Sequence, residues 1–228
     1  MLIRKKKQNL FERISITTWI IIINVIMFFI ILISLYVNPN NINYFALNPS
    51  LILQGKYIFT IITHIFSHAS PGHLFVNMFA LASFGKLCEK IIGRKRFAIF
   101  YITAGLIAAA LSIILPVFFG HGIGEKIFGS PSTYMLGTSG TIFGIAGLFV
   151  ILLPRLRFSI IFLPFWSFQA YKIIPAILII MWALSISIGL PIGNVAHLGG
   201  FLAGIFYGLY LKSKYKNKVA MLQRYFPQ

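Results

Sequence analysis

The sequence contains no aspartate, and its only acidic residues are Glu12, Glu89 and Glu125. The absence of Asp excludes a Ser-His-Asp triad and every enzyme that acts through a pair of aspartates. The absence of a His-Glu-x-x-His run excludes the zinc proteases that carry this motif. With a single cysteine, Cys88, no intrachain disulfide can form, and we interpret this residue as a small buried apolar side chain.

The chain has twenty Lys and Arg residues and three acidic residues, which give it a formal net charge of +17. A nucleic-acid-binding protein would collect such charge on one face, with aromatic residues in between. Here the basic residues fall in short runs between apolar segments, as in proteins whose membrane orientation they set. We therefore predict that the chain lies in a lipid bilayer and binds no nucleic acid.

Long apolar segments make up most of the chain, which is 58% hydrophobic with a mean hydropathy of +0.88. Soluble domains are roughly 45–50% apolar. Candidate membrane spans lie at 19–37, 73–92, 97–119, 139–154, 173–190 and 195–211. The first is too long for the apolar part of a signal peptide, so it is predicted to be retained.

The basic clusters indicate how these spans are oriented. They lie at alternate ends of successive spans, at 4–13, 86–96, 155–172 and 212–224. Because basic residues favour the cytoplasmic side, the sequence predicts an all-α membrane protein with six transmembrane helices and both termini in the cytoplasm. The predicted organisation is a basic cytoplasmic segment over 1–18, a six-helix domain over 19–211 and a basic cytoplasmic tail over 212–228.

The fourth and sixth predicted spans begin on the outer side with a serine and a histidine. The fourth opens with Gly137-Thr138-Ser139-Gly140, and the sixth opens with His197-Leu198-Gly199-Gly200. A sixteen-residue helix over 139–154 is about 24 Å long, shorter than a bilayer core of about 30 Å. Ser139 is therefore predicted to lie below the membrane surface. Taken alone, either residue could simply cap its helix.

Small residues on both spans favour close packing. Gly200, Gly204 and Gly208 repeat every four residues, and the fourth span carries its own glycines at 140, 144 and 147. Such stripes let two helices approach closely. We therefore predict that Ser139 and His197 hydrogen-bond as a catalytic dyad, in which the imidazole accepts the proton of the nucleophilic hydroxyl.

Other polar residues on the outer side suggest supporting roles. His73 and Asn77 share one face of the second span, where they could donate to an oxyanion or, alternatively, hydrogen-bond to another helix. Phe143, one turn after Ser139, could hold the imidazole by stacking. Glu125 is the only acid on the outer side and an alternative third member of the site.

Three histidines, His64, His68 and His73, raise the alternative of a metal site. Catalytic zinc usually takes an acidic or cysteine ligand as well, and none accompanies these residues. No metal and no cofactor is therefore predicted, and His64 and His68 are interpreted as polar residues of the outer side.

These motifs together resemble those of the rhomboid family of intramembrane serine proteases. The resemblance covers about 57–211. It rests on the serine run 137–140 with Phe143-Gly144, on the histidine run 197–200 with Gly204, on His73 with Asn77, and on Gly85 with Glu89 and Gly93. It implies that Ser139 is the nucleophile, His197 the base, and His73 and Asn77 the oxyanion donors. Gly137 and Phe143 are assigned to substrate binding.

The activity that this resemblance implies is hydrolysis of membrane-protein substrates in or near a transmembrane segment, without metal or cofactor. Two positions depart from the family pattern. Lys56-Tyr57 stands where many members have Trp-Arg, and Phe143 stands where relatives often have Tyr.

Two other classes remain as alternatives: a catalytically inactive rhomboid-like binder of transmembrane helices, and a small transporter or structural membrane protein. Inactive relatives generally lose the serine or the histidine, and this chain has both. A transporter would not explain why Ser139, His197, His73 and Asn77 all lie at the outer ends of their spans. The prediction is a multi-pass protein of a bacterial inner membrane that acts on transmembrane protein substrates, with its oligomeric state left open.

Overall fold

The computed structural model describes residues 14–160, 163–190 and 192–226. Residues 1–13 of the predicted N-terminal segment, Pro191 in the predicted link between the last two spans, and residues 227–228 of the tail lie outside the described residues. The fold is mostly helical (77%).

Eleven α-helices are present in the described ranges: α1 (Ile16–Val37), α2 (Pro49–Leu53), α3 (Thr60–Thr63), α4 (Pro71–Ala80), α5 (Lys86–Ile92), α6 (Arg94–Phe119), α7 (Ile123–Phe128), α8 (Ser139–Leu152), α9 (Ala170–Ile188), α10 (Asn194–Lys214) and α11 (Lys216–Tyr225). The remaining elements are 3₁₀ turns at Pro39–Tyr44 and His64–Phe66, a π-helical turn at Leu81–Gly85, and strands β1 (Arg157–Ile160) and β2 (Leu163–Gln169).

Four of these helices, α1, α6, α9 and α10, are long and apolar enough to cross a membrane. The predicted second span corresponds to α4, the π-helical turn and α5, which follow one another without a break from residue 71 to 92. The predicted fourth span corresponds to α8, an apolar helix of 14 residues that is about 21 Å long. A multi-pass helical membrane fold follows from these helices.

A buried carboxylate fixes the start of α1. Glu89 of α5 is 6% exposed, and its Oε1 accepts a hydrogen bond from the Ile16 backbone N–H at 2.9 Å. Its Oε2 accepts two more, from the Thr17 backbone N–H and the Thr17 hydroxyl, each at 2.9 Å. A negative charge is favourable at a helix N-terminus, and the Arg94 guanidinium lies 3.7 Å from the same carboxylate. Glu89 thereby docks the first helix onto the second span.

The tightest packing lies between α8 and α10, where glycines on both helices meet. A Cβ placed on Gly200 would lie 1.8 Å from the Gly140 carbonyl oxygen, and one placed on Gly204 would lie 1.9 Å from the Gly144 carbonyl oxygen. No side chain fits in that space, so the two backbones are in direct contact. This contact brings the N-terminal ends of α8 and α10 together.

The predicted all-α fold describes the bundle but needs one correction in the connector between α8 and α9. There β1 and β2 form an antiparallel hairpin with Arg157 opposite Gln169 and Phe158 opposite Phe168. The Phe158 ring packs against Phe84, with ring centroids 5.0 Å apart. From the sequence, 155–172 is interpreted as a basic connecting loop. Two strands this short do not show enough alternation of apolar and polar residues to be distinguished from a loop.

Candidate active site

Ser139 and His197 face each other at the close contact between α8 and α10. Ser139 is the first residue of α8, and His197 lies in the first turn of α10. The distance from His197 Nε2 to Ser139 Oγ is 2.8 Å, which is a hydrogen bond. His197 is buried and Ser139 is half-buried. The structure thus brings the two predicted dyad residues into the geometry in which an imidazole can take a proton from a hydroxyl.

The other side of the His197 ring is held by an aromatic residue and not by an acid. The Phe143 ring centroid lies 4.5 Å from that of His197, with the two planes 30° apart. His197 Nδ1 is buried and has no hydrogen-bond partner among the described residues. Glu125, the alternative third member, therefore does not bond to the imidazole here. Packing against Phe143 orients the ring instead.

His73 and Asn77 come from α4 and lie beside Gly137, two residues before Ser139. A Cβ placed on Gly137 would lie 3.0 Å from His73 Nε2 and 3.7 Å from Asn77 Nδ2. Gly137 has a φ of +127°, a conformation that glycine adopts without strain. The Ser70 hydroxyl caps α4 by accepting from the His73 backbone N–H at 3.2 Å, which fixes the turn that carries His73.

Asn77 has an unused donor. Its side chain is buried, and Nδ2 has no hydrogen-bond partner in the described part of the chain. A buried donor without a partner costs free energy in a folded protein, so such groups are expected where a ligand or an intermediate supplies the acceptor. Asn77 therefore has a donor available to a ligand, and it lies with His73 beside Gly137, two residues before Ser139.

A cavity of about 1860 Å³ opens onto these residues. Side chains of α4 and α9 line it, and Ser139, His197, His73 and Asn77 all contribute to its wall. Most of the remaining lining is apolar, which suits an apolar segment of substrate.

Two further histidines of the predicted outer side, His64 and His68, are buried and neutral. Burial lowers the pKa of His64 to about 4, and its Nδ1 lies 2.8 Å from the Thr60 carbonyl oxygen. Burial also lowers the pKa of His68 to about 4, and its ring lies 5.1 Å from that of His73. No group of three His, Cys, Asp or Glu side chains with metal-binding geometry occurs within the described ranges.

Comparison with known proteins finds a family match. The family model described as Rhomboid domain matches residues 55–214. The presenilin-associated rhomboid-like protein, mitochondrial, of Bos taurus is 34% identical over 170 residues, which are 74% of this chain and 41% of that protein. Rhomboid protein 1, mitochondrial, of Saccharomyces cerevisiae is 28% identical over 181 residues, 78% of this chain and 50% of that protein.

A plant protein is similar to the same extent. RHOMBOID-like protein 5 of Arabidopsis thaliana is 30% identical over 169 residues, which are 73% of this chain and 48% of that protein. The chain thus spans half or less of the length of these curated relatives.

Proposed function

Because the chain belongs to the rhomboid family, we propose that it is an intramembrane serine protease that cleaves membrane-protein substrates in or near their transmembrane segments. The observation that carries this proposal is the 2.8 Å hydrogen bond between Ser139 Oγ and His197 Nε2 at the wall of the cavity. The N-cap residue of α8 is Thr138, so helix capping does not account for the position of the Ser139 hydroxyl.

The proposed reaction proceeds in two steps. Ser139 Oγ attacks the carbonyl carbon of the scissile peptide while His197 Nε2 takes the hydroxyl proton, and that proton then passes to the leaving amine as the C–N bond breaks. Water next attacks the acyl-enzyme in the same way and releases the new carboxylate. His73, Asn77 and the Ser139 backbone N–H donate to the oxyanion that forms in each step.

Gly137 and Phe143 are proposed to contact the substrate beside the dyad. Gly137 leaves room for a substrate backbone next to His73, because a side chain there would lie within 3.0 Å of the imidazole. Phe143 lines the cavity, and its ring also packs on His197. Its second role is to hold the imidazole without an acid.

The proposal includes six membrane spans with both termini in the cytoplasm. The four long helices supply four spans, the uninterrupted helical stretch 71–92 supplies the second, and α8 supplies the fourth. Basic clusters then alternate with these spans, which supports the orientation. Because α8 is only about 21 Å long, Ser139 would lie below the outer surface of the bilayer.

The membrane itself is a separate question. Two of the relatives above are named as mitochondrial, and none of the three supports the predicted bacterial inner membrane. The bacterial location therefore stays a prediction, and the proposal is restricted to a multi-pass protein whose partners are transmembrane substrates and the bilayer.

A serine-reactive fluorophosphonate tests the proposal against the inactive-binder alternative. Purified wild type in liposomes should be labelled covalently at Ser139, whereas Ser139→Ala should not. Ser83→Ala is the matched control, because Ser83 lines the same cavity but its hydroxyl bonds to the Phe79 carbonyl oxygen. If wild type is not labelled, or if Ser139→Ala is labelled equally, the protein is not a serine protease of this kind.

Asn77→Ala is expected to lower kcat by about 10–10³-fold without abolishing cleavage, because His73 and the Ser139 backbone N–H remain as donors. The measurement is the steady-state cleavage rate of a transmembrane substrate in liposomes. Asn40→Ala removes an exposed amide from a 3₁₀ turn and serves as the matched control. An unchanged kcat in folded Asn77→Ala would restrict Asn77 to a packing role.

A further inference from the structure

Arg157 of β1 lines the same cavity as the dyad but lies beyond the other end of α8. Ser139 is the first residue of α8, whereas Arg157 follows the last residue of this helix by five positions. A hydrogen bond ties the residue before Arg157 to the start of α9: the Ala170 backbone N–H donates to the Leu156 carbonyl oxygen at 2.8 Å. Arg157 is therefore held where α8 ends and α9 begins.

The cavity extends along α8 and is not confined to the dyad. Its wall includes Ser139 at the start of α8, Ala146 halfway along the helix and Arg157 beyond its end. On α9, residues of the wall recur every four positions, at Ile173, Ile177, Met181 and Ser185. One face of α9 thus follows the cavity along most of the helix. Because α8 is about 21 Å long, the cavity is long enough for about four turns of a helical segment.

Arg157 brings an uncompensated positive charge to this wall. Among the described residues that line the cavity, the other charged side chains are Glu125 and Lys126, which are adjacent in α7 and have opposite signs. No ion pair between Arg157 and a carboxylate occurs in the part of the chain that the structure describes. A charge beside an apolar wall interacts more strongly with other charges than one in bulk water. The sign of any charge that a bound segment places near Arg157 therefore affects its affinity.

Two hydrogen bonds hold the Arg157 guanidinium in place. Nε donates to Ser167 Oγ at 2.9 Å, and Nη2 donates to the Ser167 carbonyl oxygen at 3.0 Å. Both acceptors are neutral, so they orient the guanidinium without cancelling its charge. A guanidinium has five N–H donors, and the other three have no partner among the described residues. A carboxylate is the side-chain acceptor that best suits such donors.

We propose that Arg157 is a specificity-determining residue, which favours substrates with an acidic residue on the cytoplasmic side of their transmembrane segment. The inference rests on the proposed function and orientation, and it names a class of substrate for them. A helical substrate that follows α8 from a scissile bond at Ser139 covers about 21 Å in about 14 residues, and so reaches Arg157 there. Membrane proteins usually have basic residues on that side, and Arg157 repels these.

The first test compares three substrates in wild type. They differ only in having Glu, Gln or Lys about 14 residues from the scissile bond, on the cytoplasmic side. In phosphatidylcholine liposomes, whose headgroups have no net charge, KM should be about 3–10-fold lower for the Glu substrate than for the Lys substrate. The kcat values should differ by less than about twofold, because a contact so far from the reacting atoms is equal in the ground state and the transition state. Equal KM values overturn the proposal.

Substitutions of Arg157 test whether this side chain causes the preference. Arg157→Gln should remove the preference, and Arg157→Glu should reverse it. Arg155→Gln is the matched control, because Arg155 is an exposed cation two positions away and is not among the described residues that line the cavity. The control should keep the wild-type preference. A preference that persists in Arg157→Gln, or that Arg155→Gln removes as well, overturns the proposal.

A change in the substrate alone covers the case in which the Arg157 variants do not fold. Moving the charged residue to about 21 residues from the scissile bond places it about 10 Å past Arg157, which is about one Debye length at physiological salt. Wild type should then distinguish the Glu and Lys substrates by less than about twofold in KM. A preference that persists at this distance would come from the basic surface as a whole, and it overturns the proposal.

A binding measurement separates this inference from the proposed function. Ser139→Ala is not expected to cleave, so its Kd for each fluorescently labelled substrate is measured by energy transfer in the same liposomes. The Glu substrate should bind about 3–10-fold more tightly than the Lys substrate. Equal affinities overturn the inference even if wild type reacts with the fluorophosphonate. If wild type does not react but Ser139→Ala keeps the preference, the proposed proteolysis is overturned and the charge selection by Arg157 stands.

Discussion

Ser139→Ala and His197→Ala are each expected to lose about 10⁶-fold in cleavage rate, and the double variant is expected to lose no more than either one. Nucleophile and base act as a unit, so removing one makes the other useless. The 2.8 Å hydrogen bond between His197 Nε2 and Ser139 Oγ is the contact through which the two side chains act together. The measurement is cleavage of a transmembrane substrate by each variant in liposomes.

Folding is the necessary control for this result. Each variant should insert into liposomes and unfold within a few degrees of wild type, because neither residue carries the packing between α8 and α10. Full cleavage by either single variant would rule out the dyad. Losses that add up in the double variant would show that Ser139 and His197 act in separate steps.

Gly200→Ala is expected to lower the cleavage rate by forcing α8 and α10 apart. The new Cβ would lie 1.8 Å from the Gly140 carbonyl oxygen and 2.6 Å from its carbonyl carbon, and these backbone atoms cannot rotate away as a side chain can. The two helices must therefore separate by about 1 Å, and such a misplacement can cost about 10²-fold in rate. Overpacking of this kind typically costs about 1–3 kcal/mol of stability.

Activity should thus fall more steeply than stability in Gly200→Ala. Both are measured, as kcat in liposomes and as the midpoint of thermal unfolding. Gly193→Ala is the matched control, because a Cβ there meets only the Ala196 Cβ at 3.8 Å and its φ of −75° suits alanine. Gly200→Ala cleaving at the wild-type rate would show that close approach is unnecessary, and complete unfolding would show that packing and chemistry cannot be separated.

The sequence was informative wherever a feature repeats along one helix. The first predicted span, 19–37, corresponds to α1 (Ile16–Val37), because an uncharged apolar run about as long as a bilayer core is thick is typical of a transmembrane helix. The glycine repeat likewise predicted the contact between α8 and α10, since a four-residue period marks one face. Where helix ends differed from the prediction, they did so by one to three residues, because capping depends on contacts from other segments.

Contacts between distant segments could not be predicted in this way. Glu89 caps a helix that begins 73 residues earlier, and no local pattern pairs them. The bond between Tyr101 and Thr138 joins residues 37 positions apart, each of which would pass for an ordinary helix residue. The sequence did indicate that Thr138 would lie at a helix start, but not that another helix would occupy its hydroxyl.

Glu89 also bears on how long a fragment must be to fold. The family match begins at residue 55, whereas the carboxylate of Glu89 takes its three donors from Ile16 and Thr17. A chain truncated to the matched region would keep Glu89, whose side chain is 6% exposed in the intact protein. Its carboxylate would lose those three donors and keep the ion pair with Arg94. The region that matches the family and the region that folds cooperatively therefore have different boundaries. A fragment for expression should include α1.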